Sequence, residues 1–375
     1  MEFLFWSSII FIAYTYFGYP LLLKAISLFG DKEVQKANIR PFVTLIITVH
    51  NEEERITGKL ENTLSLNYPK DKLQIMVASD FSTDNTHNIV KTFKSKGITL
   101  IRSPERKGKE YTQKLAVEQA KGDILVFSDV ATILEEDALE NIVSNFNDPT
   151  VACVSSEDRI ISDDGTVTGE NFYVRYEMFL RRLESKVNSL VGLSGSFFAA
   201  RREVCQNWAE DLQSDFNTLL NSIKMGLRGI SDPESIGYYK NVRSEGQEFN
   251  RKIRTVLRGI SVFMSNKETL NPFKYGLFSL QILSHKLFRW LIPFALISAF
   301  LTNSFLACQS FYASLFMLQI TFYTLAIIAI KNKVLSSKKI FKIPFFFTIM
   351  NLSILLAWLK YAKREKAVFW QPSER

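Results

Sequence analysis

The chain has 375 residues, of which 47% are hydrophobic, 13% aromatic and 22% charged. This composition excludes disordered, collagen-like and wholly membrane-buried proteins, because it combines enough apolar material for a core with too much charge for lipid alone. The net charge of +8 is concentrated in residues 331–342 and 360–375, which carry +5 and +3. It therefore does not indicate nucleic-acid binding, and is typical of segments held at the cytoplasmic leaflet of a membrane.

Three blocks of the chain contain no charged residue: 3–23, 290–330 and 343–359. Because about 20 residues cross the hydrocarbon layer, the middle block is long enough for two spans and each outer block for one. The first block has no basic segment before it and no small-residue cleavage site after it, which predicts a retained anchor. Cys153, Cys205 and Cys308 are far apart, so neither a disulfide framework nor a zinc site is indicated.

Between the outer blocks the sequence alternates strand and helix patterns. Apolar runs predict strands over Phe42–Val49, Leu73–Ser79, Thr99–Arg102 and Asp123–Ser128. Helical spacing predicts helices over Glu52–Ser65, Asp84–Ser95, Lys109–Ala120 and Phe172–Val187. Such a series predicts an α/β fold with a parallel sheet. In the last helix, one stripe is predicted to be buried (Phe172, Tyr176, Phe179, Leu183, Val187) and three acids to be solvated (Glu170, Glu177, Glu184).

Polar residues follow the predicted strands. His50, Asn51 and Glu52 follow the first, Asp80 the second, and Asp129 the fourth. Ligands of parallel sheets bind beyond the carboxyl ends of the strands, so these residues are expected at one site. A carboxylate at the end of a buried strand is costly unless it meets a cation or a donor, and a shared ligand would supply one.

Asp129 and a basic turn at residues 106–109 suit a diphosphate bridged by a divalent metal. Asp80 could accept a ring N–H of a nucleotide base. Lys109 opens a helix after a glycine and could reach the phosphates, although a solvated helix start is the competing interpretation.

Five segments resemble glycosyltransferase family 2 in order and spacing, within about Pro41–Gly259. They are TLIITVHNEEERI, VASDFSTDNT, GKEYTQKLAVEQAKGDILVFSDVAT, SGSFFAARREV and LQSDFNTLL. The resemblance implies a GT-A fold, Rossmann-like with a mostly parallel sheet. It also implies inverting transfer of a sugar from a nucleotide diphosphate, with uridine as the favoured base.

The resemblance further implies which residues bind the donor. They are His50, Asn51, Glu52, Asp80, Lys109 and Asp129. Asp129 matches the first acid of the family's DxD metal motif, whereas Ala131 stands at the second. A divalent metal, Mg or Mn, would therefore rest on Asp129 and on substrate oxygens.

Asp215 matches the position of the general base, because one carboxylate must take the proton of the acceptor hydroxyl. The alternative is a surface acid that pairs with Arg202 or Lys224. Gly195 and Ser196 match the turn that approaches the acceptor, and a plain turn is the competing interpretation.

Arg251 and Arg254 fall on one face of a predicted helix, together with Arg258. They could clamp the departing diphosphate, or that face could meet anionic lipid, and the sequence leaves both open. The stretch stands where processive synthases have a QxxRW element, which is absent here, so processive synthesis is in doubt.

The sequence thus predicts five segments: an N-terminal transmembrane anchor (1–30), a GT-A domain (38–260), an amphipathic interfacial segment (261–289), transmembrane helices (290–362) and a basic tail (363–375). The predicted function is sugar transfer to a lipid-linked or polysaccharide acceptor in cell-surface or extracellular polysaccharide biosynthesis. Partners would be the nucleotide sugar, the acceptor, membrane lipids and other polysaccharide-assembly proteins. The alternative is a membrane-tethered nucleotide-sugar-binding or regulatory module without turnover. Transport is disfavoured because the spans carry no acidic or basic residue to mark an ion path.

A multi-pass protein of the cytoplasmic membrane with a cytoplasmic catalytic domain would have its basic tail outside after four spans. This conflicts with the positive-inside rule. Either one apolar segment does not cross, or the tail is an exception.

Overall fold

The computed structural model describes residues 1–161, 172–240, 245–336 and 338–365. The chain divides into two compact units. The first, the sheet unit, contains Leu23–Arg243 and Val262–Gln281. The second, the helical unit, contains Met1–Leu22, Ser244–Ser261 and the described residues from Ile282 onward.

The sheet unit is built on one mixed sheet. Its strands among the described residues are β1 Val43–Val49, β2 Leu73–Ser79, β3 Ile98–Arg102, β4 Ile124–Asp129, β5 Ile133–Leu134, β6 Val151–Ile161, β7 Phe197–Arg201 and β8 Arg228–Lys240. They are ordered β3-β2-β1-β4-β7-β6-β8-β5. β1 pairs in parallel with β2 and β4, β2 with β3, and β6 with β8, whereas β7 runs antiparallel to β4 and β6, and β5 to β8. The predicted mostly parallel sheet is confirmed, and β5, β6, β7 and β8 extend it beyond the four predicted strands.

The longer helices of the described chain are α1 Glu2–Ser27, α2 Ile56–Leu64, α3 Thr86–Thr92, α4 Lys109–Val117, α5 Ala138–Ser144, α6 Phe172–Val187, α7 Ser214–Lys224, α8 Glu245–Ser265, α9 Leu277–Leu306, α10 Ser310–Lys331 and α11 Lys339–Ala362. Short helices occur at Pro272–Tyr275 and Lys333–Ser336.

The core lies on both faces of the sheet, because every residue of β1 is buried and alternate side chains point to opposite faces. Leu45 belongs to an apolar cluster with Leu60 of α2. Ile46 belongs to a second cluster, with Ala116 of α4 and Leu219 of α7. Helices α2 and α4 therefore cover opposite faces of the sheet.

Helix α6 has the predicted bounds, but its buried face differs from the predicted stripe. Leu180 and Glu184 are fully buried, whereas Phe179 is 46% exposed. Leu183 and Val187 are buried as expected. The prediction that Glu184 is solvated is wrong, because the helix packs through the side that carries residues 180, 184 and 187. Glu170 lies outside the described residues.

Four helices in the described chain are long and apolar enough to cross a membrane: Glu2–Ser27, Leu277–Leu306, Ser310–Lys331 and Lys339–Ala362. This number equals the number of predicted spans. The second of these helices, Leu277–Leu306, begins inside the predicted interfacial segment (261–289) and continues past residue 289. No helix boundary therefore separates the predicted interfacial segment from the predicted transmembrane helices. Residues 366–375 of the predicted basic tail lie outside the described chain.

Two of these helices contain a widened π-helical turn, at Tyr14–Gly18 and at Leu283–Phe288. The two turns touch, since Tyr14 Oη lies 3.0 Å from Ser284 Oγ.

Candidate active site

The polar residues after β1, β2 and β4 lie at one edge of the sheet. Val49 of β1 pairs with Ser79 of β2, and Thr48 of β1 pairs with Asp129 of β4. His50 Nδ1 lies 2.6 Å from the carbonyl oxygen that follows β2, that of Asp80. The three strand ends are therefore adjacent.

Asp80 holds the loop that precedes α4. Its Oδ1 accepts the backbone N–H groups of Lys107 at 3.0 Å and Gly108 at 3.1 Å, and its Oδ2 also lies 3.1 Å from the Gly108 nitrogen. Gly108 has φ +96°, which favours glycine, and it immediately precedes the first residue of α4. The carboxylate is 1% exposed. Its observed partners are thus these backbone groups and the Thr112 hydroxyl, which donates to Oδ1 at 3.4 Å, and its contact with a nucleotide base stays a prediction.

Asn51 and Glu52 tie the loop after β1 to the loop after β2. Asn51 has φ +51°, and its Oδ1 accepts the backbone N–H of Thr83 at 2.8 Å. The N–H of Glu52 donates to Thr86 Oγ1 at 2.9 Å, and its carboxylate accepts Arg55 Nε at 2.7 Å. Burial raises the pKa of Glu52 to about 7, although Arg55 acts in the opposite direction.

Lys109 connects the end of β4 to the turn before β7. Its ammonium donates to Asp129 Oδ1 at 2.6 Å and to the carbonyl oxygen of Gly195 at 3.1 Å. The side chain of Lys109 is 11% exposed and that of Asp129 24%. A cation held by a carboxylate at a helix N-terminus is a suitable partner for phosphate oxygens.

Asp215 lies on the other side of the same turn. A Cβ atom at Gly195 would come within 2.7 Å of Asp215 Oδ2, so this position admits only glycine without a shift. Asp215 is 6% exposed, and its two oxygens accept Phe216 N at 2.7 Å and Gln213 Nε2 at 3.1 Å. The backbone N–H of Asp129 donates to the carbonyl of Ser196 at 2.9 Å. Asp129 and Asp215 therefore both border the turn Ser194–Ser196.

Arg202 and Lys224, the two alternative partners of Asp215, contact other residues. Lys224 pairs with Glu268 at 2.7 Å and Arg202 donates to the carbonyls of Ala120 and Lys121. The role of Asp215 as a general base stays a prediction.

Sequence reasoning missed Lys59, which reaches the end of β4 from α2. Its ammonium donates to Ser128 Oγ at 2.7 Å and to the Thr132 carbonyl at 2.5 Å, and the residue is 2% exposed. Burial lowers its pKa to about 7, while the nearby Asp129 acts to raise it. The sequence feature that could have identified Lys59 is its position between Ile56 and Leu60, on the apolar side of the helix.

Asp158 on β6 was also missed; the hydroxyls of Ser194 and Ser196 donate to its carboxylate. No strand-end pattern marks it in the sequence.

Arg251 and Arg254 lie on α8, whose helical structure agrees with the prediction. The guanidinium of Arg251 donates to the Glu248 carboxylate at 2.7 and 2.9 Å. Both residues belong to the helical unit, and their role as a diphosphate clamp stays a prediction.

The described residues contain no group of three or more His, Cys, Asp or Glu side chains placed to hold a metal ion. Asp129 is the only residue that the sequence predicts as a metal ligand, and its Oδ1 accepts a hydrogen bond from Lys109. Mg²⁺ commonly takes one carboxylate together with phosphate oxygens and waters. The site therefore fits a divalent metal that arrives with a diphosphate, rather than one enclosed by protein ligands.

A sequence model of the family described as "Glycosyl transferase family 2" matches residues 44–208. The chain carries a glycosyl transferase family 2 domain. The matched residues include β1, β2 and β4, the Lys109 turn and the Gly195 turn, so the family 2 domain contains most of the predicted site. The predicted family, and with it the transferase class, is confirmed.

Two curated relatives of the family 2 domain are similar over part of their length. Poly-beta-1,6-N-acetyl-D-glucosamine synthase of Staphylococcus aureus (strain COL) is 25% identical over 195 residues, which are 50% of this chain and 46% of that protein. Glycosyltransferase AglE of Haloferax volcanii is 29% identical over 150 residues, which are 40% of this chain and 49% of that protein. The chain thus spans about half the length of these relatives.

A solved structure is similar over nearly the whole chain. It is the mannosyltransferase PcManGT from Pyrobaculum calidifontis in complex with GDP-Man and Mn²⁺, which is 25% identical with a TM-score of 0.74, over 97% of this chain and 100% of that one. The predicted GT-A fold with additional apolar helices is thereby confirmed.

Proposed function

We propose that this chain is an inverting glycosyltransferase that moves a sugar from a nucleoside diphosphate sugar, with a UDP-sugar as first candidate, to a lipid-linked or polysaccharide acceptor at a membrane. One observation carries the proposal: the Gly195 carbonyl accepts the Lys109 ammonium, and the Asp215 carboxylate lies within 2.7 Å of the position that a Cβ atom at Gly195 would take. The same ammonium holds Asp129. A cation suited to the donor and a base suited to the acceptor thus meet at one turn.

On the donor side, Lys109 stands at the first turn of α4, so its charge and the helix N-terminus both favour an anion. Together they would stabilise the negative charge that develops on the leaving diphosphate. We assign the surrounding residues His50, Asn51, Glu52 and Asp80 to the nucleotide side. Arg251 and Arg254 are assigned to the departing diphosphate.

On the acceptor side, the acceptor hydroxyl oxygen attacks the anomeric carbon while the bond from that carbon to the diphosphate oxygen breaks. Asp215 takes the proton of the attacking hydroxyl. Its buried position and its bonds from Gln213 and Phe216 fix the direction of the carboxylate. Attack opposite to the leaving group inverts the anomeric configuration, and Gly195 and Ser196 would contact the acceptor.

We propose a divalent metal, Mg²⁺ or Mn²⁺, held by Asp129 and by phosphate oxygens of the donor. When bound, such an ion neutralises charge on the diphosphate. The Mn²⁺ in the PcManGT complex supports this assignment. Removal of divalent ions with a chelator should abolish transfer, and full activity after exhaustive chelation would contradict the metal assignment.

The proposed setting is the cytoplasmic membrane, with several spans and with the sheet unit on the cytoplasmic side, where nucleotide sugars are found. The similarity to a polysaccharide synthase supports a role in cell-surface or extracellular polysaccharide assembly. Other assembly proteins and membrane lipids are the corresponding partners.

The decisive experiment measures nucleotide release by the purified full chain in detergent, against a panel of UDP- and GDP-sugars with and without Mg²⁺ or Mn²⁺. Asp215→Asn should lower the transfer rate by about 10²- to 10⁴-fold, the usual contribution of a general base, while nucleotide binding persists. Asp31→Asn is the matched control, because Asp31 is an exposed carboxylate paired with Lys186. Equal rates for the two variants would overturn the role of Asp215.

A second candidate function is donor binding without turnover, which Ala131 at the second acidic position favours. The same panel separates the two functions. A binding module would retain nucleotide but release none above the rate of an empty-membrane control.

A further inference from the structure

We propose that Asp158 is a positioning residue for the sugar transfer. By holding Ser194 and Ser196, it sets Gly195 at the distance from Asp215 that the reaction needs. The inference rests on the proposed function, because it assigns a task to a turn that matters only if transfer takes place there.

Asp158 bridges both sides of Gly195. Its Oδ1 accepts the Ser196 hydroxyl at 2.8 Å, and its Oδ2 accepts the Ser194 hydroxyl in a short hydrogen bond. The two serine oxygens lie 2.8 Å apart. One carboxylate therefore fixes the side chains on each side of the glycine.

The backbone of the turn is anchored at both ends as well. The N–H of Ser194 donates to Ser155 Oγ on β6 at 2.7 Å, and the carbonyl of Ser196 accepts the N–H of Asp129 at 2.9 Å. Between these anchors, the carbonyl of Gly195 accepts the Lys109 ammonium at 3.1 Å, and a Cβ atom at Gly195 would come within 2.7 Å of Asp215 Oδ2. Small shifts of this glycine would change the separation of the Lys109 ammonium from the Asp215 carboxylate.

The chemistry requires a carboxylate at position 158. The Ser194 and Ser196 hydroxyls donate to different oxygens of Asp158, and the Ser156 hydroxyl lies 3.1 Å from Oδ1, so an ionised carboxylate accepts all three through charge-assisted hydrogen bonds. An amide offers one acceptor oxygen and an NH₂ donor, so one serine would have to reverse its hydroxyl.

The experiment compares Asp158→Ala, the double variant Ser194→Ala/Ser196→Ala and the triple combination of these changes. Glu157→Gln is the matched control, because Glu157 is the preceding residue on β6 and its carboxylate pairs with Arg182 at 2.7 Å, away from the turn. Two quantities are measured in detergent: hydrogen exchange of the backbone amides at residues 194–197, and the kinetics of nucleotide release.

Asp158→Ala should speed exchange at residues 194–197 by about tenfold or more, the effect of losing charge-assisted hydrogen bonds. It should lower kcat by roughly 10²-fold, as expected when reacting groups are misplaced by about 1 Å. The dissociation constant of UDP or GDP should stay unchanged. Amide exchange at residues 194–197 should be no faster in the triple variant than in Asp158→Ala, because the three side chains hold the turn as one unit.

Exchange at residues 194–197 equal to that of the unsubstituted chain would overturn the inference, whether or not a donor is found. Faster exchange with a kcat equal to that of Glu157→Gln would also overturn it, since the turn would then be irrelevant to rate. Absence of nucleotide release by the unsubstituted chain would instead overturn the proposed function, and the exchange measurement would still decide whether Asp158 holds the turn.

Discussion

Two lysines reach the end of β4 from opposite faces of the sheet, and their surroundings differ. Lys109 meets a carboxylate, Asp129, at 2.6 Å. Lys59 meets a hydroxyl and a carbonyl, those of Ser128 and Thr132. A buried ammonium without a directly bonded carboxylate is poorly compensated for lost hydration, which is why burial lowers the pKa of Lys59 to about 7.

This difference predicts a pH dependence of stability. Below pH 7 Lys59 carries its proton in both the folded and the unfolded chain, and its burial costs stability. Between pH 7 and 10.5 the folded chain releases the proton while the unfolded chain keeps it, so the contribution of Lys59 to the free energy of unfolding rises with pH.

Lys59→Met should remove this rise, as measured by chemical unfolding in detergent across the same pH range. Glu52 does not confuse the result, because its raised pKa makes stability fall with pH in a separate window, between 4.5 and 7. Parallel stability profiles for the variant and the unsubstituted chain would contradict the buried, largely uncompensated state of Lys59.

Gly195 gives a second prediction at this scale. Gly195→Ala brings a methyl group to within 2.7 Å of Asp215 Oδ2, so the carboxylate or the turn must move. We expect nucleotide release to fall by about 10²-fold, which is the scale of loss for a 1 Å misplacement.

Gly58→Ala is the control for that substitution. Gly58 lies in α2 with open space around its Cα, so alanine there should raise helix stability by up to about 1 kcal/mol and leave nucleotide release unchanged. Equal activity of the two glycine variants would show that Asp215 need not lie against the turn.

Residues at strand ends could be predicted from the sequence because a buried strand shows where it stops. Asp129 is an example: β4 ends on it. Lys59 and Asp158 could not be predicted in the same way, because their roles depend on partners far away in the chain. Lys59 contacts residues about 70 positions later, and Asp158 contacts serines on the turn before β7.

At the scale of elements, the hydrophobic pattern predicted strands β1 to β4, which pair in parallel, but it did not predict strands β5 to β8. β2 has the predicted bounds, and β1, β3 and β4 differ from prediction by one residue at their ends. Helix α2 begins at Ile56 rather than at Glu52, because the polar residues before it form hydrogen bonds to the loop after β2. The antiparallel direction of β7 was not predictable, since apolar alternation carries no information on the pairing partner.

The start of β8 is held by a buried ion pair, and this gives an element-scale prediction. Arg228 Nη2 lies 3.0 Å from Asp148 Oδ2, and Nη1 donates to the carbonyl of Lys32 at 2.8 Å. Arg228→Met leaves the buried carboxylate without its cation, which should cost about 3–5 kcal/mol of unfolding free energy.

The exposed pair of Arg40 and Glu140 provides the control. Its nitrogen–oxygen distance is 2.9 Å, close to that of the buried pair, but its side chains are 48% and 30% exposed. Arg40→Met should cost less than about 1 kcal/mol. Similar losses in the two variants, measured by denaturant unfolding, would contradict the dependence on burial.

At the scale of the whole molecule, the four apolar helices determine which connections face which side. If all of them cross and the sheet unit is cytoplasmic, the connection between α9 and α10 lies outside. The connection between α10 and α11 then lies inside, as its lysine-rich sequence favours.

The native cysteines test this arrangement. Cys308 is exposed and lies between α9 and α10, whereas Cys153 and Cys205 are buried. A membrane-impermeant maleimide should therefore label intact cells at Cys308, and Cys308→Ser should abolish the labelling. Labelling that requires permeabilised membranes would mean that the α9–α10 connection is on the cytoplasmic side and that a span has been miscounted.

The widened turns of α1 and α9 link the lengths of two spans that are far apart in the chain. Each such turn holds more residues than an α-helical turn, and every residue rotates a helix by about 100°. Removing one residue from either turn would rotate the part of that helix beyond the turn about its axis by this angle, and would separate Tyr14 from Ser284. Insertions and deletions in these two helices are therefore coupled, so that a change of length in one must be matched by a change in the other.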